Sequence, residues 1–236
     1  MIIRFRHLMN GNGTPSARLA VLGLSKNTER LVDLVEGFFG RMSIRAIQYA
    51  NENALRTSLD ALLFHDASHA CISELKLNDA GRPRFADIFI PSQDSDSPAY
   101  CLELKHASLI ALWRGMHNDL DGDWSKLEEF RRQLNDMSLE KLLGLKVVYR
   151  EAGSMRLVET SINDMKNSGI TQLTHYLELI QTGDKGVDDY RIDCLPGGSE
   201  LVGYVLVCIG TTRVIGWEVK KQRTKHWFKA KVPRDG

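Results

Sequence analysis

The sequence lacks the features that mark membrane, secreted or zinc-binding proteins. Its four cysteines have no C-x-x-C spacing, so a structural zinc site is not expected. The longest apolar run, at 201–209, is interrupted by Gly203 and is far shorter than the roughly 20 residues of a membrane helix. The opening MIIRFRHLMNGNG has no apolar stretch of signal-peptide length. We therefore expect an intracellular, reduced protein, in the nucleus or the cytoplasm, with no membrane contact.

An excess of either charge is also missing. The 31 Lys and Arg residues face 30 Asp and Glu residues, which leaves a formal net charge of +1, so any basic surface must be local. No Gly-rich phosphate loop, nucleophile elbow or G-x-G-x-x-G supports an α/β metabolic enzyme. The 43% of hydrophobic residues suffice for the core of an ordinary globular domain.

Apolar spacing predicts two helices in the first quarter of the chain. In the segment 27–39, apolar residues recur at helical intervals before a stop at Gly40; they are Leu31, Leu34, Val35 and Phe38. A second helix is expected from about 51 to 64, with an apolar stripe of Leu55, Leu59, Leu62 and Leu63. Glu52 shares the face of that stripe, so we expect its carboxylate to point inward.

The rest of the chain alternates between strands and helices. Three short segments rich in strand-forming residues follow at 71–77, 84–90 and 99–105. Residues 107–160 are predicted to be an insertion with one helix, KLEEFRRQL, and one strand at 147–150. A long helix runs from a capping signal at Ser161 and Asp164 to near Gly183. The apolar run at 201–209 predicts a buried strand, with 211–219 as its hairpin partner.

We therefore predict an α/β fold in a single domain over residues 1–236. Its core comprises residues 50–106 and 161–218, and it is accompanied by an N-terminal helical region at 27–49, the insertion at 107–160 and a basic C-terminal tail at 219–236. The segment 220–236 holds seven Lys or Arg residues around Trp227 and Phe228. Basic residues between aromatics suit the backbone and bases of a nucleic acid; a charge-rich, frayed terminus is the alternative.

Three ionisable side chains are expected to meet on neighbouring strands. Alternate residues of a strand share a face, so Glu103 and Lys105 point the same way, and the preceding strand can bring Asp87 beside them. The apolar surroundings make these carboxylates costly unless a cation neutralises them. Lys105 supplies part of that charge, and a divalent cation would supply more. Oxygen ligands favour Mg²⁺ or Mn²⁺ over zinc, and the inward-facing Glu52 adds a further oxygen.

The arrangement of Asp87, fifteen intervening residues and then Glu103-Leu104-Lys105 resembles the D…(D/E)-x-K signature of the PD-(D/E)XK nuclease superfamily. Ala86 stands where that family usually has proline. The resemblance implies a restriction-endonuclease-like core of order α-β-β-β-α-β, in which a mixed central sheet is flanked by helices.

Two further positions extend the resemblance. The family has a glutamate on the helix before the first strand, which Glu52 matches. RecB-type members carry Q-x-x-x-Y on the helix after the third strand, where this chain has Gln172 and Tyr176. The resemblance spans roughly residues 50–210 without the insertion, and it is greatest to nuclease-like domains of fungal genomes.

The resemblance implies a nuclease that uses Mg²⁺ or Mn²⁺ to hydrolyse phosphodiester bonds in nucleic acid, DNA rather than RNA. The implied metal ligands are Glu52, Asp87, Glu103 and the carbonyl of Leu104. Lys105 would orient the attacking water or help to deprotonate it. Gln172 and Tyr176 would position the scissile phosphate or brace Lys105. A homodimer is left open.

The same residues also have purely structural interpretations. The three ionisable groups could form a surface hairpin ion pair, and Glu52 could be a first-turn carboxylate favoured by the helix dipole. Gln172 could bond to backbone, and Tyr176 could fill the core. Glu74 and Lys76 also form an E-x-K pattern, but we expect them to support the site rather than to act in catalysis. The alternative function is a catalytically silent nuclease-fold module that acts through nucleic-acid or protein binding, with its site blocked by the insertion.

Overall fold

A computed structural model describes the chain at residues 32–33, 35–37, 39, 52–63, 71–92, 95, 97–117, 124–150, 156–210 and 212–231. The labelled helices are α1 (Glu52–Leu63), α2 (Leu109–His117), α3 (Trp124–Asp136), α4 (Leu139–Leu143) and α5 (Ile162–Gln181). The strands are β1 (Ile72–Asp79), β2 (Arg82–Ile90), β3 (Ala99–Ala107), β4 (Lys146–Arg150), β5 (Leu157–Ser161), β6 (Ile192–Pro196), β7 (Glu200–Ile209), β8 (Arg213–Arg223) and β9 (His226–Ala230). No helix in these described ranges is long and apolar enough to cross a membrane.

Five strands form a mixed central sheet in the order β1-β2-β3-β7-β8. Every neighbouring pair is antiparallel except β3 and β7, which are parallel. A parallel pair needs a crossover connection, and here α2 to α5 lie between the two strands along the chain. The fold is therefore α/β with a mixed central sheet flanked by helices, and the predicted hairpin of β7 and β8 is confirmed.

The sheet separates two apolar clusters. One contains residues of α1 and of the helical segment within 32–39, with Leu55 and Leu59 both buried as their stripe predicts. Val35 and Phe39 are buried in this same cluster. The other cluster joins the opposite face to α2, α3 and α5. The predicted stripe positions 31, 34 and 38, and the side chains at 62 and 63, lie outside the described residues.

Helix α5 begins where its capping signal places it. The Ser161 hydroxyl accepts from the Asp164 amide at 3.0 Å, and the Asp164 carboxylate accepts from the Ser161 amide at 3.2 Å. Reciprocal bonds of this kind satisfy amides that have no partner within the helix. Gly169 and Tyr176 are buried on the face that packs against the sheet, whereas Gln172 is partly exposed.

The segment 107–160 contains more regular structure than its pattern predicts. The predicted helix lies inside α3, where its apolar stripe is buried, and the predicted strand lies inside β4. Helices α2 and α4 and strand β5 were not predicted. α4 has only five residues, and β5 forms by pairing with β4, which a local pattern does not reveal.

The expected basic tail is part of the fold as far as residue 231. Strand β8 continues to Arg223, and β9 pairs antiparallel with β6. Phe228 is fully buried, and its ring meets the Phe89 ring edge-on with 5.6 Å between centroids. The prediction of a tail, and its alternative of a frayed terminus, are therefore wrong for this part of the chain, because alternation along β9 turns Phe228 into the core.

We expect Phe228→Ala to lower the free energy of unfolding by about 3–5 kcal/mol, the usual loss for a buried phenylalanine. Urea denaturation of the purified variant measures this loss. Lys229→Ala, at the neighbouring exposed position, is the control and should change the free energy by less than about 0.5 kcal/mol. Equal urea midpoints for Phe228→Ala and the wild type would show that β9 is not anchored in the core.

Candidate active site

The candidate site lies where β2 and β3 separate. The two strands pair only through 88–90 and 100–102, whereas β3 continues beside β7 as far as Ala107. At this fork the Asp87 Oδ2 atom accepts a hydrogen bond of 2.8 Å from the Leu104 amide. The N–H and C=O of one strand residue point to the same side, so the Leu104 carbonyl also faces the fork.

Strand β1 contributes an irregularity beside Asp87. Glu74 has a φ of 51°, a left-handed conformation that is uncommon for a residue with a side chain. Ile72 and Leu75 pack in the same apolar cluster although they are three residues apart, so the regular alternation of faces is interrupted between them. Ser73 pairs with Ile88 and Leu75 pairs with Ala86, but Glu74 and Asp87 between them are not paired in the ladder. The interruption therefore lies opposite Asp87.

Glu103 and Lys105 form the most buried ion pair of the site. The Lys105 Nζ atom lies 2.6 Å from the Glu103 Oε1 atom, and the Glu103 side chain is only 1% exposed. The other carboxylate oxygen, Oε2, is buried and has no hydrogen-bond partner among the described residues. A surface ion pair would have both groups in water, so the structural interpretation as a surface hairpin pair does not fit this geometry.

A chain of hydrogen bonds connects this pair to helix α5. Lys105 Nζ donates to the side-chain oxygen of Gln172 at 3.3 Å, and the Gln172 amide nitrogen donates to the Tyr176 hydroxyl at 2.8 Å. Gln172 and Tyr176 are four residues apart, so they lie on one face of the helix. The partner of Gln172 is thus a side chain of the candidate site rather than the backbone.

Helix α1 approaches the fork from the other face of the sheet. The Glu52 Oε2 atom lies 3.9 Å from Lys105 Nζ, so the carboxylate reaches the site, but the side chain is 43% exposed and is not turned fully inward as expected. Arg56, one turn later, lies 3.8 Å from the Asp87 Oδ1 atom and forms a 2.9 Å ion pair with Glu74. Sequence reasoning missed Arg56, because its i+4 position relative to Glu52 places it on the same helix face but does not reveal the strand residues that it contacts.

The two residues interpreted as supporting have different environments. Glu74 reaches the site indirectly through its ion pair with Arg56. Lys76 pairs instead with Asp188 at 2.7 Å. Lys76 therefore takes no part in the cluster at the fork.

Burial controls the electrostatics of the site. Burial first, and the charge of Asp87 second, raise the pKa of Glu103 to about 8, although Lys105 acts to lower it. Burial also raises the pKa of Asp87 and of Glu52, against the Leu104 amide in the first case and Lys105 in the second. Burial alone would lower the pKa of Lys105, but the adjacent carboxylates outweigh it and the pKa is raised. The negative charge of the carboxylates at the fork is therefore not fully offset by the neighbouring basic side chains.

The donors at the fork fit a hard divalent cation. The buried Glu103 Oε2 atom has no hydrogen-bond partner among the described residues, and the Asp87 carboxylate is near enough for its charge to raise the Glu103 pKa. Carboxylate and carbonyl oxygens are the donors that Mg²⁺ and Mn²⁺ prefer. Among the described residues, no group of three or more His, Cys, Asp or Glu side chains has metal-site geometry. Lys105 Nζ lies 3.9 Å from Glu52 Oε2 and 2.6 Å from Glu103 Oε1, so both of these carboxylates are paired with the lysine.

Gly169 permits the close approach of α5 to the site. A Cβ atom at this position would lie 2.9 Å from Val205 Cγ1 and 3.5 Å from the Lys105 side chain. The first distance is shorter than real side-chain contacts allow. Gly169 therefore sets the separation between the helix that carries Gln172 and the strand that carries Lys105.

We expect Gly169→Ala to lower the melting temperature, although alanine is favoured over glycine in a helix by about 1 kcal/mol. The clash with Val205 should cost about 1–3 kcal/mol. Gly37→Ala is the matched control, because a Cβ there meets no atom of the described residues within 4 Å, and it should leave the melting temperature equal or higher. A rise in melting temperature for Gly169→Ala would show that α5 and β7 are not in close contact.

The structure brings together all the residues that the sequence singled out for the site. These are Glu52, Asp87, Glu103, Leu104, Lys105, Gln172 and Tyr176. Their roles as ligands and catalytic groups remain predictions. Comparisons with models of protein families, with curated proteins and with solved structures gave no match to this chain.

Proposed function

We propose that this protein hydrolyses phosphodiester bonds of nucleic acid at the fork between β2 and β3, with the help of Mg²⁺ or Mn²⁺. The observation that carries the proposal is the convergence of Asp87, Glu103, Lys105 and Gln172 from three separate elements. Lys105 and Gln172 are 67 positions apart, so the contact does not follow from local sequence. DNA is the expected substrate.

The order of elements supports a restriction-endonuclease-like core. Helix α1 is followed by three antiparallel strands, then by the segment 107–160, helix α5, the short strand β6 and the strand β7. Strand β6 pairs with β9 outside the central sheet, so the order is compared for the central sheet and its two flanking helices. This is the order α-β-β-β-α-β that the resemblance implies, with an insertion before the second helix. The candidate residues lie on the elements that the resemblance assigns to them: α1, β2, β3 and α5.

The proposed metal ligands are Asp87, Glu103 and the Leu104 carbonyl, with Glu52 as a further oxygen. A divalent ion bound there would lower the pKa of a water and offset negative charge that grows on the phosphate oxygens. Lys105 would orient the attacking water, and Nζ would accept a proton from that water only when a bound divalent cation offset the carboxylates that raise the Lys105 pKa. Gln172 would hold Lys105 in place through its side-chain oxygen, and Tyr176 would fix the orientation of the Gln172 amide through the 2.8 Å hydrogen bond.

Access to Lys105 supports an enzyme over a blocked module. Its side chain is 15% exposed and lines an open groove together with residues of β4, β5 and α5. The described residues of the segment 107–160 therefore form a wall of the groove and leave part of the Lys105 side chain exposed.

Incubation of the protein with labelled single-stranded, duplex and branched DNA and with RNA, in the presence of Mg²⁺, Mn²⁺ or EDTA, tests the proposal. We expect cleavage that requires the metal and disappears with EDTA. Binding without cleavage under every metal condition would favour the catalytically silent module. The absence of both binding and cleavage would contradict the proposed function.

A further inference from the structure

A groove of about 340 Å³ begins at the candidate site and extends along the N-terminal part of α5. Its lining residues are Lys105, His106, Tyr149, Thr160, Asp164, Met165 and Ser168. Lys105 is at the boundary with the candidate site. Tyr149 and Thr160 come from β4 and β5, so the segment 107–160 builds one wall of the groove.

The lining is suited to a base and a sugar more than to a phosphate. Among the lining residues, Lys105 carries the positive charge, and it already forms an ion pair with Glu103. Asp164 adds an exposed carboxylate, which would repel a phosphate inside the groove. Thr160 and Ser168 add hydroxyl groups, and Tyr149 adds an aromatic ring that is 45% exposed.

Tyr149 has the properties of a stacking residue. It lies on a paired strand opposite Val158, so its backbone is held by the hairpin of β4 and β5. A partly exposed ring on such a strand can accept a base on its face, and stacking of this kind contributes about 1–3 kcal/mol per base without regard to sequence.

We propose that the groove binds one unpaired nucleotide next to the phosphate at Lys105, with its base stacked on Tyr149. This inference rests on the proposed function, because the phosphate at Lys105 is what places the neighbouring nucleotide in the groove. Pockets of roughly 300–1,000 Å³ hold a single small-molecule ligand. A groove of about 340 Å³ is at the lower end of that range, which suits one nucleotide. Its base can stack on Tyr149 only if it is not stacked in a duplex, which makes the substrate a single strand or the unpaired part of a branched DNA.

The test uses Tyr149→Ala, Tyr149→Phe and, as control, Leu157→Ala, which changes a residue of similar exposure on β5. Binding is measured with single-stranded and duplex DNA in Ca²⁺, and the single strands carry 2-aminopurine at successive positions. We expect Tyr149→Ala to weaken single-strand binding by about ten-fold, which is 1.4 kcal/mol, and to abolish the change in 2-aminopurine fluorescence at one position. Tyr149→Phe and Leu157→Ala should stay within two-fold of the wild type. Equal melting temperatures show that each variant is folded.

The outcomes separate this inference from the proposed function. If metal-dependent cleavage occurs and requires Lys105, but Tyr149→Ala binds single strands as the wild type does, the groove proposal fails and the proposed function stands. If the protein cleaves nothing but its single-strand binding depends on the Tyr149 ring, the proposed function fails and the groove proposal stands. Wild-type binding that favours duplex over single strands at equal salt, or no binding of single strands, overturns the groove proposal.

Discussion

Glu103→Gln and Lys105→Ala should each reduce metal-dependent cleavage by about 100-fold or more, a rise of at least ~2.7 kcal/mol in the activation barrier. Glutamine at position 103 removes the charge that would hold a divalent cation. Alanine at position 105 removes the amine that would orient the attacking water in the proposed mechanism. Single-turnover cleavage with saturating protein measures both losses without contributions from product release.

The stability of Glu103→Gln should not fall with its activity. Glu103 is 1% exposed, and one of its carboxylate oxygens has no hydrogen-bond partner among the described residues, so its ionised form is costly in the fold. Glutamine has the same shape without the charge, and its side-chain oxygen can still accept a hydrogen bond from Lys105, so the cost of ionisation is removed while the contact is kept. We expect the urea midpoint of Glu103→Gln to equal that of the wild type or to exceed it.

Glu159→Gln is the matched control for Glu103→Gln. Glu159 pairs with Lys146 at 2.7 Å, but both side chains are more than half exposed, and such pairs contribute about 0–1 kcal/mol. This control should leave both cleavage and stability unchanged. Wild-type turnover in Glu103→Gln or in Lys105→Ala would remove that residue from the mechanism.

Gln172→Leu should reduce cleavage by ten-fold or more, at least ~1.4 kcal/mol in the barrier, while the free energy of unfolding stays equal or increases. Leucine has a volume similar to that of glutamine and fits the face of α5 that packs on the sheet. It cannot accept from Lys105 or donate to Tyr176, so Lys105 loses the contact that fixes its position. Cleavage rates at saturating metal concentration measure the effect.

Gln133→Leu makes the same substitution at an exposed position of α3 and should not change the cleavage rate. An unchanged rate in Gln172→Leu would mean that the glutamine only fills space beside the sheet. A Gln172→Leu variant that loses both activity and several kcal/mol of stability would indicate a structural role for the hydrogen-bonded chain.

The elements that the sequence predicts well are those with local signals. The strands at 84–90 and 99–105 are rich in Ile, Phe, Tyr and Leu between clear turns, and the capping pair Ser161 and Asp164 marks the start of α5. These signals were enough to place Asp87, Glu103, Lys105 and Gln172 on neighbouring elements. The prediction that these residues meet in space depended on the order of elements in the family that the sequence resembles.

The elements that the sequence does not predict depend on distant partners. Strand β9 forms because 226–230 pairs with 192–196, so a segment rich in lysine looked like a tail when its partner strand was unknown. Arg56 reaches both Asp87 and Glu74, and no periodic pattern identifies a residue that connects two strands through ion pairs. The left-handed conformation of Glu74 likewise lacks a local signal, since glycine is the usual residue there.

A crystal structure of the protein soaked in Mn²⁺, with anomalous diffraction recorded from the metal, tests the central claim most directly. The account predicts a manganese peak at the fork, bound by the carboxylates of Asp87 and Glu103 and by the Leu104 carbonyl, with the Lys105 amine still beside it. A structure in which Mn²⁺ binds elsewhere on the protein, while Lys105 keeps its ion pair with Glu103 and the fork holds no metal, would contradict it.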